Sequence, residues 1–308
     1  MKNKNIEHLL KNNKFCALAI DQGTSLKNLI KNKKKNFLTE DYFNFKKYII
    51  SNLSNHVSSI LFDYDTYIHD SIYKNLETQK IIAYEDDAYN IENLEKITKL
   101  PTKNFDHLLN NFGALKFFMY YNPDSNRSIN EKKKLLIIKV SEICKNYNLP
   151  FLFEPLLYFD DSLGYNIEEF YKRKPQHVSY FYKEFSKLKY SIDIIKIEFP
   201  FNEFEVKGFD NDNSYNWYSF KDCEKLLKDT FMDFSTPFVF LSAGMNFNNF
   251  YKSLSLAKSS GINFLGFLCG RSIWYDAIDI FANSNQEMFI NWIKNEGKNR
   301  ITKLISAI

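Results

Sequence analysis

With 308 residues, 44% of them hydrophobic and 25% charged, the chain can bury a large core and is globular by class. Its formal net charge of +4 comes from scattered lysines, and the densest run, Lys33-Lys34-Lys35, reads as a solvated face after a helix-like stretch, so no nucleic-acid partner is expected. The opening MKNKNIEHLLKNNK lacks the apolar core of a secretion signal, and no stretch reaches the roughly eighteen apolar residues of a membrane helix, which predicts a soluble cytoplasmic protein with no membrane partner.

In chain order, runs of β-formers begin with FCALAI at 15 and SSILF at 58. They continue with KIIAY at 80, ALKFFMY at 114 and FLF at 151, and end with IDIIKIEF at 192, FVFLS at 238 and FLGFL at 264. These runs are apolar nearly throughout rather than alternating, as in parallel strands covered on their outer face by helices. Helical periodicity fills most of the gaps. Over 130–148, Leu136, Val140, Cys144 and Tyr147 recur at three- to four-residue steps until Pro150 stops the pattern, and Pro175 suits the first turn of a helix running to about Lys189. The stretch 202–218 reads as a long loop after the sixth strand, and loops of that length are often functional.

Eight βα units in a chain of this size predict a single α/β domain over 1–308, a closed (β/α)8 TIM barrel. An open doubly wound sheet is the alternative. It is disfavoured because the first βα turn, DQGTSL, lacks the G-x-G-x-x-G of a dinucleotide fold. The four cysteines, Cys16, Cys144, Cys223 and Cys269, lie far apart with no C-x-x-C spacing, so neither a zinc site nor a disulfide framework is suggested.

In a barrel of this kind chemistry gathers where strands end and βα loops begin. The first run ends in Asp21-Gln22, the second in Asp63, the third in Glu85 and the fifth in Glu154. The fourth contains Lys116, the sixth Lys196 and Glu198, the seventh ends in Ser242-Ala243-Gly244 and the eighth in Gly270-Arg271. Singly, an acid after a strand is often a helix cap, and a lysine in a strand can snorkel outward past the helix layer. Lys196 fits the second description poorly, because isoleucines flank it and lysine is almost never fully buried without a partner.

Burial and a second nearby cation both lower a lysine's pKa, which frees a neutral amine to attack a carbonyl. Attack on a ketone by Lys196 makes a Schiff base, whose iminium accepts electrons as the neighbouring carbon–carbon bond breaks. Glu154 and Asp21 are the carboxylates available to take and return protons. The Ser242–Gly244 and Gly270–Arg271 loops stand where barrels commonly bind phosphate, with glycines opening the backbone N–H groups and an arginine adding a bidentate contact.

The blocks ALAIDQ at 17, SSILFD at 58, IIAYE at 81, ALKFFMYY at 114, FEPLL at 153, IIKIEFP at 194, LSAG at 241 and LCGRSIW at 268 resemble the class I tagatose-1,6-bisphosphate aldolases over nearly the whole chain. The related sulfofructose-phosphate aldolases share many of them. The resemblance implies a (β/α)8 barrel with no metal and no cofactor, reversibly cleaving a ketose bisphosphate to dihydroxyacetone phosphate and glyceraldehyde 3-phosphate. By motif it implies Lys196 as the Schiff-base lysine, Lys116 as a second active-site lysine, and Glu154 and Asp21 as acid and base. Gln22, Ser242, Gly244, Gly270 and Arg271 fall among the substrate- and phosphate-binding positions. A homo-oligomer is expected by analogy.

One departure stands out: the family usually reads DQR where this chain reads Asp21-Gln22-Gly23. The missing arginine bears on the far end of the substrate, and Lys27 or the 202–218 loop could take its place. Two alternatives follow. One is the same chemistry on a ketose 1-phosphate with a different C6 group, such as sulfofructose 1-phosphate; the other is a non-catalytic sugar-phosphate sensor on the same barrel.

Overall fold

Each apolar run becomes a strand: β1 (Phe15–Ala19), β2 (Ser59–Phe62), β3 (Gln79–Ala83), β4 (Ala114–Tyr120), β5 (Phe151–Leu156), β6 (Ile194–Ile197), β7 (Phe238–Phe240) and β8 (Gly266–Cys269). In the computed structural model, which describes residues 6–87, 95–103, 105–210, 215–232 and 236–308, these strands pair in parallel in strict chain order. The sheet closes because Phe15, Cys16, Ala17 and Leu18 of β1 stand in register with Gly266, Phe267, Leu268 and Cys269 of β8. An open doubly wound sheet is thereby excluded.

The outer layer is less regular than a strict βα repeat. Two helices, α1 (Thr24–Lys33) and α2 (Thr39–Leu53), separate β1 from β2, and the short α3 (Tyr64–His69) follows β2. Between β3 and β4 the described residues hold only a 3₁₀ turn, Asp106–Asn111, where a regular repeat predicts a helix. Then come α4 (Arg127–Asn146), α5 (Ile167–Phe185), α6 (Phe220–Phe231) and α7 (Phe247–Ser260), each before the next strand, and β8 leads into α8 (Arg271–Trp274). The chain ends in α9 (Ala277–Asn283), α10 (Gln286–Trp292) and α11 (Lys298–Ser306). None of the helices among the described residues is long and apolar enough to cross a membrane.

Three details differ from the expectations. Helix α5 starts eight residues before Pro175, because Asn166 caps it by accepting the Glu169 N–H at 2.9 Å, with Glu168 and Glu169 in the first turn. Pro175 therefore sits inside the helix, where it removes one hydrogen bond. The buried face running from Phe170 through Val178 and Phe181 to Phe185 outweighs that loss. The Lys33-Lys34-Lys35 run is not simply solvated: Lys33 pairs with Asp279 of α9 at 2.6 Å, and Lys34 lies 5.2 Å from the centre of the Phe281 ring. In the 202–218 stretch, a 3₁₀ turn at Glu203–Glu205 and a bridge between Val206 and Tyr218 tie down the described part, and 211–214 lie outside the described residues.

The period of two along each strand sets the rest. Phe15, Ala17, Ala19, Leu61, Ile81, Ala83, Ala114, Leu152, Ile194, Val239 and Leu268 fill the barrel interior, with Leu9 of the N-terminal 3₁₀ turn among them. Their neighbours, such as Cys16, Ile60, Leu115, Phe153 and Ile195, pack outward against the helices. Two residues beyond Ala114, Leu152 and Ile194 on the same face come Lys116, Glu154 and Lys196. The interior thus changes from apolar to charged toward the C-terminal ends of the strands, and Lys196 points inward, not outward past the helices.

Candidate active site

Lys116 is fully buried and joins three strand ends. Its Nζ lies 3.2 Å from Asp21 Oδ2, 2.5 Å from Glu85 Oε1 and 2.9 Å from Glu154 Oε2. The other oxygen of Glu154 lies 2.8 Å from the Nζ of Lys196, which is 4% exposed. Four of the predicted residues, from β4, β5, β6 and the end of β1, therefore meet in one continuous ion-pair network.

Burial raises the pKa of both Asp21 and Glu154, but the two lysines outweigh it and hold each carboxyl below its usual range. Glu85 goes the other way. Burial pushes it up to about 7 although Lys116 opposes this, because Asp21 and Glu154 add like charge nearby.

Neighbouring groups hold the first loop in place. Gln22 Nε2 donates to Asp21 Oδ1 at 3.0 Å, and the Tyr42 hydroxyl donates to the Gln22 carbonyl at 3.0 Å. Lys46, fully buried on the apolar face of α2, contacts Asp63 Oδ2 at 2.5 Å and donates to Thr66 Oγ1 at 2.8 Å. Burial pulls its ammonium below the usual lysine range, with Asp63 opposing. Asp63 also caps α3 by accepting the Thr66 N–H at 2.9 Å, so for this strand-end acid the capping role holds.

On the β5–β8 side, a cavity of about 210 Å³ is lined by Gln22, Glu154, Lys196, Ser242, Gly270 and Arg271. Gly244 adopts φ +88°, and a Cβ there would lie 3.5 Å from the Arg271 guanidinium, so this glycine backs the arginine instead of lining the cavity. Gly270 admits no side chain at all, since a Cβ would stand 2.3 Å from the Ala19 carbonyl oxygen. Trp274 Nε1 donates to that oxygen at 3.0 Å and locks β1 to α8. Among the described residues no carboxylate pairs with Arg271. A cationic fork, the Gly270 backbone and a buried amine thus share one small cavity.

A second cavity, of about 270 Å³, opens over the ends of β1–β3 beside Asp21 and Glu85. Its wall is mostly acidic: Asp63, Asp65, Asp86 and Asp87 join those two, while Lys103 is already paired with Asp65 at 2.5 Å and Lys27 is a second lining cation. A Cβ on Gly23 would meet Asp87 Oδ1 at 3.1 Å, and Asp87 Oδ2 accepts the Thr24 N–H at 3.0 Å. The place beside Gly23 is therefore taken by a carboxylate.

Residues 15–276 match the DeoC/LacD family aldolase. The chain belongs to that family. This aldolase, a carbon–carbon lyase, is 30% identical over 303 residues to "Tagatose 1,6-diphosphate aldolase" of Listeria monocytogenes serotype 4a (strain HCC23), covering 94% of this chain and 86% of the relative. It is 30% identical over 306 residues to "Tagatose 1,6-diphosphate aldolase 1" of Enterococcus faecalis, covering 98% and 93%. Among solved structures, a fructose-bisphosphate aldolase from Plasmodium falciparum is similar with a TM-score of 0.70 at 14% identity, over 99% of this chain and 95% of that one, a likeness of fold.

Sequence reasoning noted Glu85 only as a strand-end acid and missed Lys46, Tyr42 and Trp274 as supports. A usable signal existed for Lys46, which falls between Phe45 and Ile49 on an otherwise apolar helix face.

Proposed function

We propose that this aldolase cleaves tagatose 1,6-bisphosphate to dihydroxyacetone phosphate and glyceraldehyde 3-phosphate through a Schiff base at Lys196. The observation that carries the reading is the 2.8 Å contact between Lys196 Nζ and Glu154 Oε1 inside the cavity that also holds Arg271. Lys196 attacks the ketone carbon, Glu154 moves protons between the amine and the carbinolamine oxygen, and water leaves. Asp21 takes the proton of the hydroxyl on the far side of the breaking bond, and the bonding electrons flow into the iminium. Return of a proton to the resulting enamine and hydrolysis release the ketone half. Lys116 keeps both carboxylates ionised, while Gln22, Ser242, Gly270 and Arg271, with Gly244 behind the arginine, hold the phosphate next to the ketone. The domain is read as the whole of 1–308, and a cytoplasmic setting suits phosphorylated sugars and four buried free cysteines.

The test is to treat the protein with dihydroxyacetone phosphate and borohydride and map the product by mass spectrometry. A three-carbon phosphate adduct on Lys196 is expected. A folded protein that binds the ligand tightly and yields no adduct would instead support a sugar-phosphate sensor.

The Asp87 carboxylate beside Gly23 favours a second reading, in which the far end of the ketose carries no phosphate. An acid-lined pocket gains little from an anion. The kcat/KM for tagatose 1,6-bisphosphate is accordingly expected to lie within about tenfold of that for tagatose 1-phosphate. An advantage for the bisphosphate of about 10³ would sink the second reading.

A further inference from the structure

One charged group of the network has no role in the steps above. Glu85 follows β3, its side chain is 4% exposed, and its Oε2 accepts the Phe118 N–H at 3.2 Å while Oε1 meets Lys116 at 2.5 Å. The groups that face it are Lys116 from β4, Asp21 from the end of β1 and Glu154 from β5, with Lys196 of β6 beyond Glu154. The Asp63–Lys46 pair stands on the β2 side of the adjoining cavity, and Asp86 and Asp87 lie on the loop of Glu85 itself.

Three carboxylates face two lysines in the network, so one carboxylate is left over to take a proton. Asp21 and Glu154 are held ionised by the lysines, whereas burial pushes Glu85 up to about 7. To attack a ketone, Lys196 must shed a proton, and it sits 4% exposed against Glu154 with little access to water.

We propose that Glu85 stores the proton that Lys196 gives up on attacking the ketone and returns it when the carbinolamine loses water. The inference rests on the Schiff-base reading of Lys196. Glu85 acts through Lys116 and Glu154 and is a positioning residue rather than one that touches the substrate. The Lys196 ammonium passes a proton to Glu154, Lys116 hands one of its own protons to Glu85 and takes up the one that Glu154 releases, and the freed amine forms the N–C bond as the carbonyl electrons move onto oxygen. A nitrogen proton then moves to that oxygen. The stored proton returns along the same path to the carbinolamine hydroxyl, which leaves as water, so ammonium and ketone become iminium and water with no proton gained or lost.

The storage form requires Glu85 to be ionised beforehand, so Schiff-base formation should rise with pH through a limb centred near the Glu85 ionisation. The experiment is a single-turnover reaction of the full chain with dihydroxyacetone phosphate, quenched with borohydride at set times from about pH 5.5 to about pH 9, with the Lys196 adduct quantified. Glu85→Gln keeps the acceptor for Lys116 and should move the limb up by about one unit or more, slowing adduct formation at neutral pH by roughly tenfold. Glu85→Asp retains a carboxylate and should bring the limb back. A Glu85→Gln enzyme that is slower but keeps the wild-type limb would overturn the proposal, leaving Glu85 as a mere support for Lys116. Absence of any adduct in the wild type at every pH would instead remove the Schiff-base reading itself, so the two failures are distinct.

Discussion

Lys196→Arg is expected to lower carbon–carbon cleavage by roughly 10⁴-fold or more while leaving the barrel folded. The reason is chemical, since an arginine stays protonated under all ordinary conditions and cannot supply the primary amine an iminium requires. Positive charge is kept beside Glu154, so the buried carboxylate at 2.8 Å is not left without a partner and the structural cost stays modest. Turnover of the bisphosphate, circular dichroism and borohydride trapping on the same preparation decide the matter. Normal turnover by a folded variant would remove Lys196 from the chemistry.

Lys116→Met has the larger expected effect on stability. The side chain is about the right size for the space, but its loss leaves Asp21, Glu85 and Glu154 converging on a point with no cation at the centre. Removing one partner from a buried ion pair costs on the order of 3–5 kcal/mol. The sign of the pH dependence follows from the shifts. Asp21 and Glu154 have depressed folded-state pKa values owed in part to Lys116, so the stability they contribute is present above the unfolded carboxylate pKa of about 4 and lost as pH falls through the folded values. The gap in Tm between wild type and variant should therefore be widest near neutral pH and close on acidification. Glu85 alone makes wild-type stability fall as pH rises through about 7, and because Lys116 opposes that upward shift, its loss in the variant widens the gap in the same direction. A gap that does not change with pH would mean that packing, not charge, accounts for the loss. Activity should fall with it, because Asp21 and Glu154 would lose one of the two lysines that hold them ionised.

The mouth of the barrel has two unlike sides. On one side Lys196 and Arg271 stand with Glu154 and Glu198, while on the other Asp87 and its acidic neighbours outnumber Lys27 and the paired Lys103. A substrate lying across Lys196 and Asp21 would meet attraction at one terminus and repulsion at the other, which is why the far group of the ketose is the most informative variable to change.

Much of this was legible from the chain alone. Eight apolar runs separated by helical patterns are a local property of sequence, and they determined the strands and the barrel because parallel strands buried on both faces need no long-range information to be recognised. Lys116, Lys196, Asp21 and Glu154 were visible as charges where apolar strands run or end, and Arg271 as a cation beside a glycine. Local signals misled where packing overrode them: Pro175 looked like a helix start, yet Asn166 and the buried face of α5 begin the helix earlier. The isoleucines beside Lys196 argued against a lysine reaching outward, but with both faces of the strand buried they could not show which groups it meets. Only closure of the barrel separated inside from outside. Closure also decided that Glu85 and Asp21 share one ammonium, that Lys46 neutralises Asp63, and that Asp87 fills the place beside Gly23. Those pairings join residues far apart in the chain, and electrostatic coupling depends on distance in space, which sequence spacing does not encode.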